Sequence, residues 1–175
     1  LCLQEEYLDV VDSADAQLVA KNTFELTDYL AQLHREGKLK DDFRLDSAWG
    51  KDPFNKKKGR HILPYGKDGG HGPPYRLAYH MPCHYHYMKI KDGTRYLMSL
   101  IDGIELEELP NSCCGIAGTF GFQKGKFDLS MEAGEPMLGP LRESDCDFGL
   151  TECSTCKMQM ELGAGKETLH PVKVL

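Results

Sequence analysis

A small α/β fold on a short parallel sheet is predicted by three features of the chain's second half. Short apolar runs at 76–80, 104–109 and 148–151 have the length and bounding turns of strands. Longer runs at 94–101, 127–144 and 155–162 carry apolar residues at helical spacing between and after them. Strands that alternate with helices pair in parallel, because a helical crossover returns the chain to the same end of the sheet. The third feature is the cysteines: Cys83, the pair Cys113-Cys114, and Cys153 each follow directly on a predicted strand. Loops after parallel strands all leave at the carboxyl edge of the sheet, where open α/β folds bind ligands. Cysteines far apart in sequence are therefore expected to meet there, in a three-layer-like domain preceded by a helical connector.

Taken in order, residues 13–36 place Ala16, Val19, Ala20, Phe24, Leu26, Tyr29, Leu30 and Leu33 mostly three or four apart. With Ser13 as N-cap and Gly37 as stop, they predict one or two helices, and residues 1–37 form the connector. Residues 38–74 turn to Lys, Gly, Pro and Asp, including Lys56-Lys57-Lys58 and Pro73-Pro74, and predict a long loop or linker. The cysteine-bearing domain is then 75–175. In its first helix Tyr96, Leu97, Leu100 and Ile101 are expected inward. In the second, Pro136 and Pro140 are expected to interrupt or end parts of the helix, since each lacks an N–H. The third is expected to close at Gly163, and a helix is also expected to begin just after Cys114.

A chain of 175 residues buries a core without staples, and its seven cysteines are an odd number. Both favour metal ligation in a reducing cytosol over a disulfide framework. The net charge of −6 and the lack of a basic stripe argue against nucleic acid as a partner. No run reaches the roughly 18 apolar residues of a membrane span.

The cysteines form the array C-x29-C-C-x38-C-x-x-C. Thiolates are soft donors that suit zinc, copper(I) and iron-sulfur clusters, and a C-x-x-C turn can present two sulfurs to one centre. Tetrahedral zinc takes four ligands, one fewer than the array offers. His80, His84 and His86 crowd Cys83, so a Cys/His zinc site is the competing chemistry. Of these, His84 is expected to hydrogen-bond a sulfur or loop carbonyl while His80 and His86 face elsewhere. Cys146 is expected to be a small buried apolar residue, and His170 a packing or supporting residue. Gly115, Gly118 and Gly121 are expected to let the backbone approach a bulky ligand.

The segments Tyr79-His80-Met81-Pro82-Cys83-His84, Ser112-Cys113-Cys114-Gly115-Ile116-Ala117-Gly118-Thr119-Phe120-Gly121-Phe122 and Thr151-Glu152-Cys153-Ser154-Thr155-Cys156-Lys157 resemble the cysteine-rich CCG domain. That family includes a cluster-bearing subunit of heterodisulfide reductase and iron-sulfur subunits of respiratory dehydrogenases for glycolate, lactate and glycerol 3-phosphate. The middle motif is worded most like that of the iron-sulfur subunit of the anaerobic glycerol-3-phosphate dehydrogenases. The resemblance runs from about Arg76 to the C-terminus. Leu1-Cys2-Leu3-Gln4-Glu5-Glu6-Tyr7 is similar to the end of a first CCG motif, with Cys2 as its last ligand; a plain terminal cysteine is the equal alternative.

The resemblance implies that Cys83, Cys113, Cys114, Cys153 and Cys156 ligate a 4Fe-4S cluster, of the open non-cubane kind that some members hold. It implies an electron-transfer module of a respiratory dehydrogenase or heterodisulfide reductase-like complex. Such a module takes electrons from a flavin subunit and delivers them to quinone or a disulfide, in the cytoplasm and at the inner face of the membrane through partners such as an anchor subunit. A zinc-binding structural or interaction domain is the alternative. The spacing departs slightly from the family, short before the cysteine pair and long after it.

Overall fold

The computed structural model describes residues 2–40, 75–90 and 92–175. The expected 38–74 loop and its lysine triplet lie almost wholly outside the described residues. Four parallel strands form one sheet: β1 (Tyr75–Tyr79), β2 (Ile104–Glu108), β3 (Phe148–Leu150) and β4 (Thr168–Leu169), in the order β2-β1-β3-β4. Three of these occupy the predicted runs. β4 has no counterpart among them, because two residues are too few to show a period.

Two helical layers sandwich the sheet. Strand alternation sends Leu77 and Tyr79 to one face and Ala78 to the other. On the first face Leu77, Phe148 and Leu150 pack with Leu97, Met98 and Ile101 of and just beyond α5 (Gly93–Ser99). On the second, Ala78 packs with Met137, Leu138 and Leu141 of α6 (Phe127–Glu143) and Met160 of α7 (Ser154–Ala164).

The connector comprises α1 (Tyr7–Val10), α2 (Ala14–Lys21) and α3 (Leu26–Arg35), after one wide helical turn at Cys2–Glu6. Ser13 caps α2 as expected, accepting from Ala16 N at 3.1 Å. α3 belongs to the first layer, since Ala31 is 0% exposed within the same core cluster as Leu97. Its Asp28 accepts the Gly93 N–H at 2.9 Å, fixing the start of α5, and the ring of Tyr96 lies 4.1 Å beneath Arg35.

Pro136 and Pro140 do not break α6, which runs unbroken past both. Both prolines lie on the exposed face, so the carbonyls they leave free, at Glu132 and Pro136, can be served by water, while Met137, Leu138 and Leu141 hold the opposite face in the core. α7 closes not at Gly163 but at Gly165, whose φ of 67° makes the left-handed cap. Gly163 lies within α7 and packs closely on α6, where a Cβ would stand 2.6 Å from Leu138 Cδ1.

Candidate cysteine-rich metal centre

The carboxyl ends of β1, β2 and β3 carry all five cysteines of the array. The strand order reverses its winding between β1 and β3, which opens a crevice at their carboxyl ends. Beyond β1, Pro82 caps the short helix α4 (Cys83–Tyr87), so Cys83 opens a helix and not a loop. Tyr85 of α4 is buried, and the neighbouring Glu25, the cap residue of α3, helps to push its hydroxyl pKa up after burial itself. Beyond β2 no helix begins at Cys114, contrary to expectation. The chain turns through Gly115 (φ 92°) and Ala117 (φ 48°), and the next helical residues are the single turn Phe120–Phe122.

That turn is built against α6, which Gly115 and Gly121 approach closely. A Cβ on Gly115 would lie 1.9 Å from Ser130 O, and one on Gly121 would lie 2.4 Å from Ser130 Oγ. Ser130 Oγ donates to Gly115 O at 3.0 Å, and Gln159 Nε2 of α7 donates to Ser130 O and Oγ at 3.2 Å. Ser130 and Gln159 thus clamp the cysteine loop onto two helices. Neither stands out in the sequence, where each reads as an ordinary polar position on a helix.

The sulfurs run from floor to rim. Cys114 and Cys156 are buried in the core of the α6–α7 face, Cys153 is half-buried, and Cys83 and Cys113 are exposed. The nearby thiols of Cys114 and Cys153, together with burial, push the pKa of Cys156 far up. The neighbouring Cys156 thiol in turn pulls Cys114 down to about 7. It pulls Cys153 down to about 4, against its burial and helped by the Thr155 hydroxyl at 3.1 Å and the N–H groups of Cys156 and Thr155. Cys153 is the cap residue of α7, where free N–H groups favour a thiolate. At the rim, Gly115 N donates to Cys113 Sγ at 3.3 Å. Cys83 is pushed up by partial desolvation and then by the nearby charges of Cys113 and Cys114, with Cys153 also in reach.

Cys146 stands apart, before β3, buried among core residues with its thiol donating to Glu107 at 3.4 Å. Cys2 is exposed in the connector. His84 and His86 sit on α4 outside the core, whereas His80 is 1% exposed and held near 4, chiefly by burial, with Cys153 and His86 as the charges it feels. His170 accepts the Val172 N–H at 3.2 Å and caps the last turn of the chain.

Glu152 turns to the opposite face of the sheet, where Tyr79 donates to it at 2.9 Å and the Thr94 hydroxyl also donates; burial raises its carboxyl to about 6. Among the described residues only two buried side-chain nitrogen or oxygen atoms lack a hydrogen-bond partner, His80 Nε2 and Glu152 Oε2. Among the same residues no group of three or more His, Cys, Asp or Glu side chains is set to hold a single metal ion.

Residues 77–161 match the family described as a cysteine-rich domain under the heading CCG. This segment is a CCG cysteine-rich domain. The chain is 34% identical over 155 residues to a subunit of the anaerobic glycerol-3-phosphate dehydrogenase of Escherichia coli K12, a match spanning 87% of this chain and 37% of that protein. It is 30% identical over 93 residues to a subunit of the dihydromethanophenazine:CoB--CoM heterodisulfide reductase of Methanosarcina barkeri, a match spanning 50% of this chain and 22% of that protein. The chain thus spans well under half the length of these relatives, which are named as subunits of a dehydrogenase and a reductase. No solved structure is significantly similar to the chain. No helix among the described residues is long and apolar enough to cross a membrane.

Whether the CCG domain fits a sulfur-bound iron group is decided by its donors. Five soft sulfur atoms share one edge, two of their thiols are shifted toward thiolate, and buried His80, next after β1, has an unpartnered nitrogen. These residues fit such a group.

Proposed function

We propose that the CCG domain holds an iron-sulfur cluster through Cys83, Cys113, Cys114, Cys153 and Cys156 and serves as an electron-transfer module of a larger oxidoreductase. The observation that carries this reading is the convergence of these cysteines on the carboxyl edge of β1, β2 and β3, with Cys114 and Cys156 in one buried cluster and Cys153 packed against it. A bound cluster would supply one-electron storage. The chain's own work is to bring sulfurs from floor to rim, to favour thiolate at the start of α7, and to keep the floor dry beneath Ile116 and Met137. Cys83 and Cys113 at the exposed rim are where an electron partner comes nearest.

The relatives' names support a donor subunit that oxidises glycerol 3-phosphate, or an acceptor that is a disulfide. The proposed partners are accordingly a flavin-containing dehydrogenase subunit and a quinone or membrane-anchor subunit, with contact to the inner membrane face through them. The cluster is proposed to be a 4Fe-4S group, and five ligands favour an open, non-cubane form.

Anaerobic reconstitution with iron and sulfide tests the reading. A brown protein with broad visible absorption and matching iron and sulfide supports it. A colourless protein that takes up one zinc and no iron would replace it with a zinc-binding structural domain.

A further inference from the structure

The β1–β3 crevice holds a group that the cysteine array does not use. His80 continues β1 by one residue, its N–H donating to Leu150 O at 2.9 Å. Because the pairing continues, so does the alternation of the strand. Leu77 and Tyr79 face the α5 layer, Ala78 faces the layer of Cys114, Cys153 and Cys156, and His80 follows Ala78. Its side chain is 1% exposed, and its Nε2 has no hydrogen-bond partner among the described residues. Cys153 is a charged group near enough to bear on the ring.

A buried ring nitrogen without a partner forfeits the hydrogen bond it had in water, and native interiors leave few such atoms. An apolar residue would fill the same space without that loss. The imidazole is therefore best explained by a partner that arrives with the ligand of the crevice. The histidines of α4 do not supply it, since His84 packs edge-on against Tyr85 at 4.9 Å and His86 is exposed.

We infer that His80, through Nε2, is a hydrogen-bond donor to a sulfur of the group that the cysteines hold, and that it sets that group's reduction potential. The inference rests on the iron-sulfur reading above. A donor aimed at sulfur favours the more negative, reduced state, so loss of the N–H makes the group harder to reduce. His80 is then a positioning and tuning residue and not a ligand.

The test is an anaerobic redox titration, followed by electron paramagnetic resonance, of the reconstituted parent and the His80→Leu and His80→Gln variants, with iron content and thermal unfolding measured alongside. In His80→Leu the iron content stays at the parent level and the reduced-to-oxidised ratio at a fixed potential falls about tenfold, equal to about 59 mV for a one-electron couple. His80→Gln, whose amide can place an N–H near the same point, recovers most of that shift. Equal potentials in all three proteins would overturn the inference while leaving the cluster reading intact. A loss of iron from both variants would overturn it in favour of a ligand role. A parent that binds no iron would overturn the cluster reading and this inference with it. If His80→Leu fails to fold, His80→Met takes its place as the variant without an N–H: a reduced-to-oxidised ratio about tenfold lower than the parent's upholds the donor role, and a ratio equal to the parent's overturns it.

Discussion

Cys156, in the first turn of α7, packs in the same buried cluster as Cys114 of the turn after β2. The Cys156 thiol also neighbours Cys153, and it is the largest cause of the low pKa of that thiol. Replacing Cys156 by alanine removes this stabilisation of the thiolate. In the cluster-free protein, alkylation of Cys153 should be nearly independent of pH from about 6 to 8 in the parent, because its pKa is about 4. In Cys156→Ala it should rise with pH across that range. Mass-spectrometric alkylation rates check this, and identical profiles would mean that Cys156 does not govern Cys153.

The turn after Cys114 is fixed by backbone and not by side chains. Gly115→Ala meets two penalties, a φ of 92° and a Cβ 1.9 Å from Ser130 O. Gly118→Ala meets only its φ of 69°, with open space around the new methyl. Urea unfolding should show a loss of about 1 kcal/mol for Gly118→Ala and at least about 3 kcal/mol for Gly115→Ala. Equal losses would mean that the clamp by Ser130 and Gln159 is slack.

Two buried groups flanking the crevice pull stability in opposite directions with pH. His80 titrates near 4, below its ordinary 6.5, so its contribution is present above 6.5 and lost as pH falls toward 4. Glu152 titrates near 6, above its ordinary 4.5, so the folded chain holds its proton more tightly and its contribution is lost as pH rises through 6. The two oppose each other between 4.5 and 6. Glu152→Gln removes the counterweight, and its stability should fall more steeply than the parent's on acidification, by about 1–2 kcal/mol across the window. Parallel urea-unfolding curves for parent and variant at successive pH values would contradict this.

Much of this is legible in the sequence, for physical reasons. Runs such as 76–80 and 148–151 are bounded by turns and rich in β-formers, so three strands and their shared carboxyl edge can be read directly. The cysteines can be placed because each follows such a run. What escapes depends on packing. Pro136 and Pro140 do not break α6 because both face solvent, which a proline in isolation does not reveal. Gly115 and Gly121 serve the close approach of α6, information held by Ser130 and not by the glycines themselves. His84 adjoins Cys83 and so reads as the sulfur partner, while the burial of His80 depends on packing that its sequence neighbours do not reveal. Connector helix α3 reads as a separate element, while Ala31 and Asp28 join it to α5.

The central claim, that five sulfurs and not four hold the group, is tested most directly by electron paramagnetic resonance of the reconstituted parent beside Cys114→Ser and Cys146→Ser. Cys83, Cys113, Cys153 and Cys156 alone could hold an ordinary four-thiolate cube, so loss of Cys114 should change the spectrum or abolish the cluster. Cys146→Ser, whose thiol serves Glu107 away from the crevice, should leave the spectrum unchanged. A Cys114→Ser protein with the parent's spectrum and electron-transfer rate would contradict the five-sulfur account.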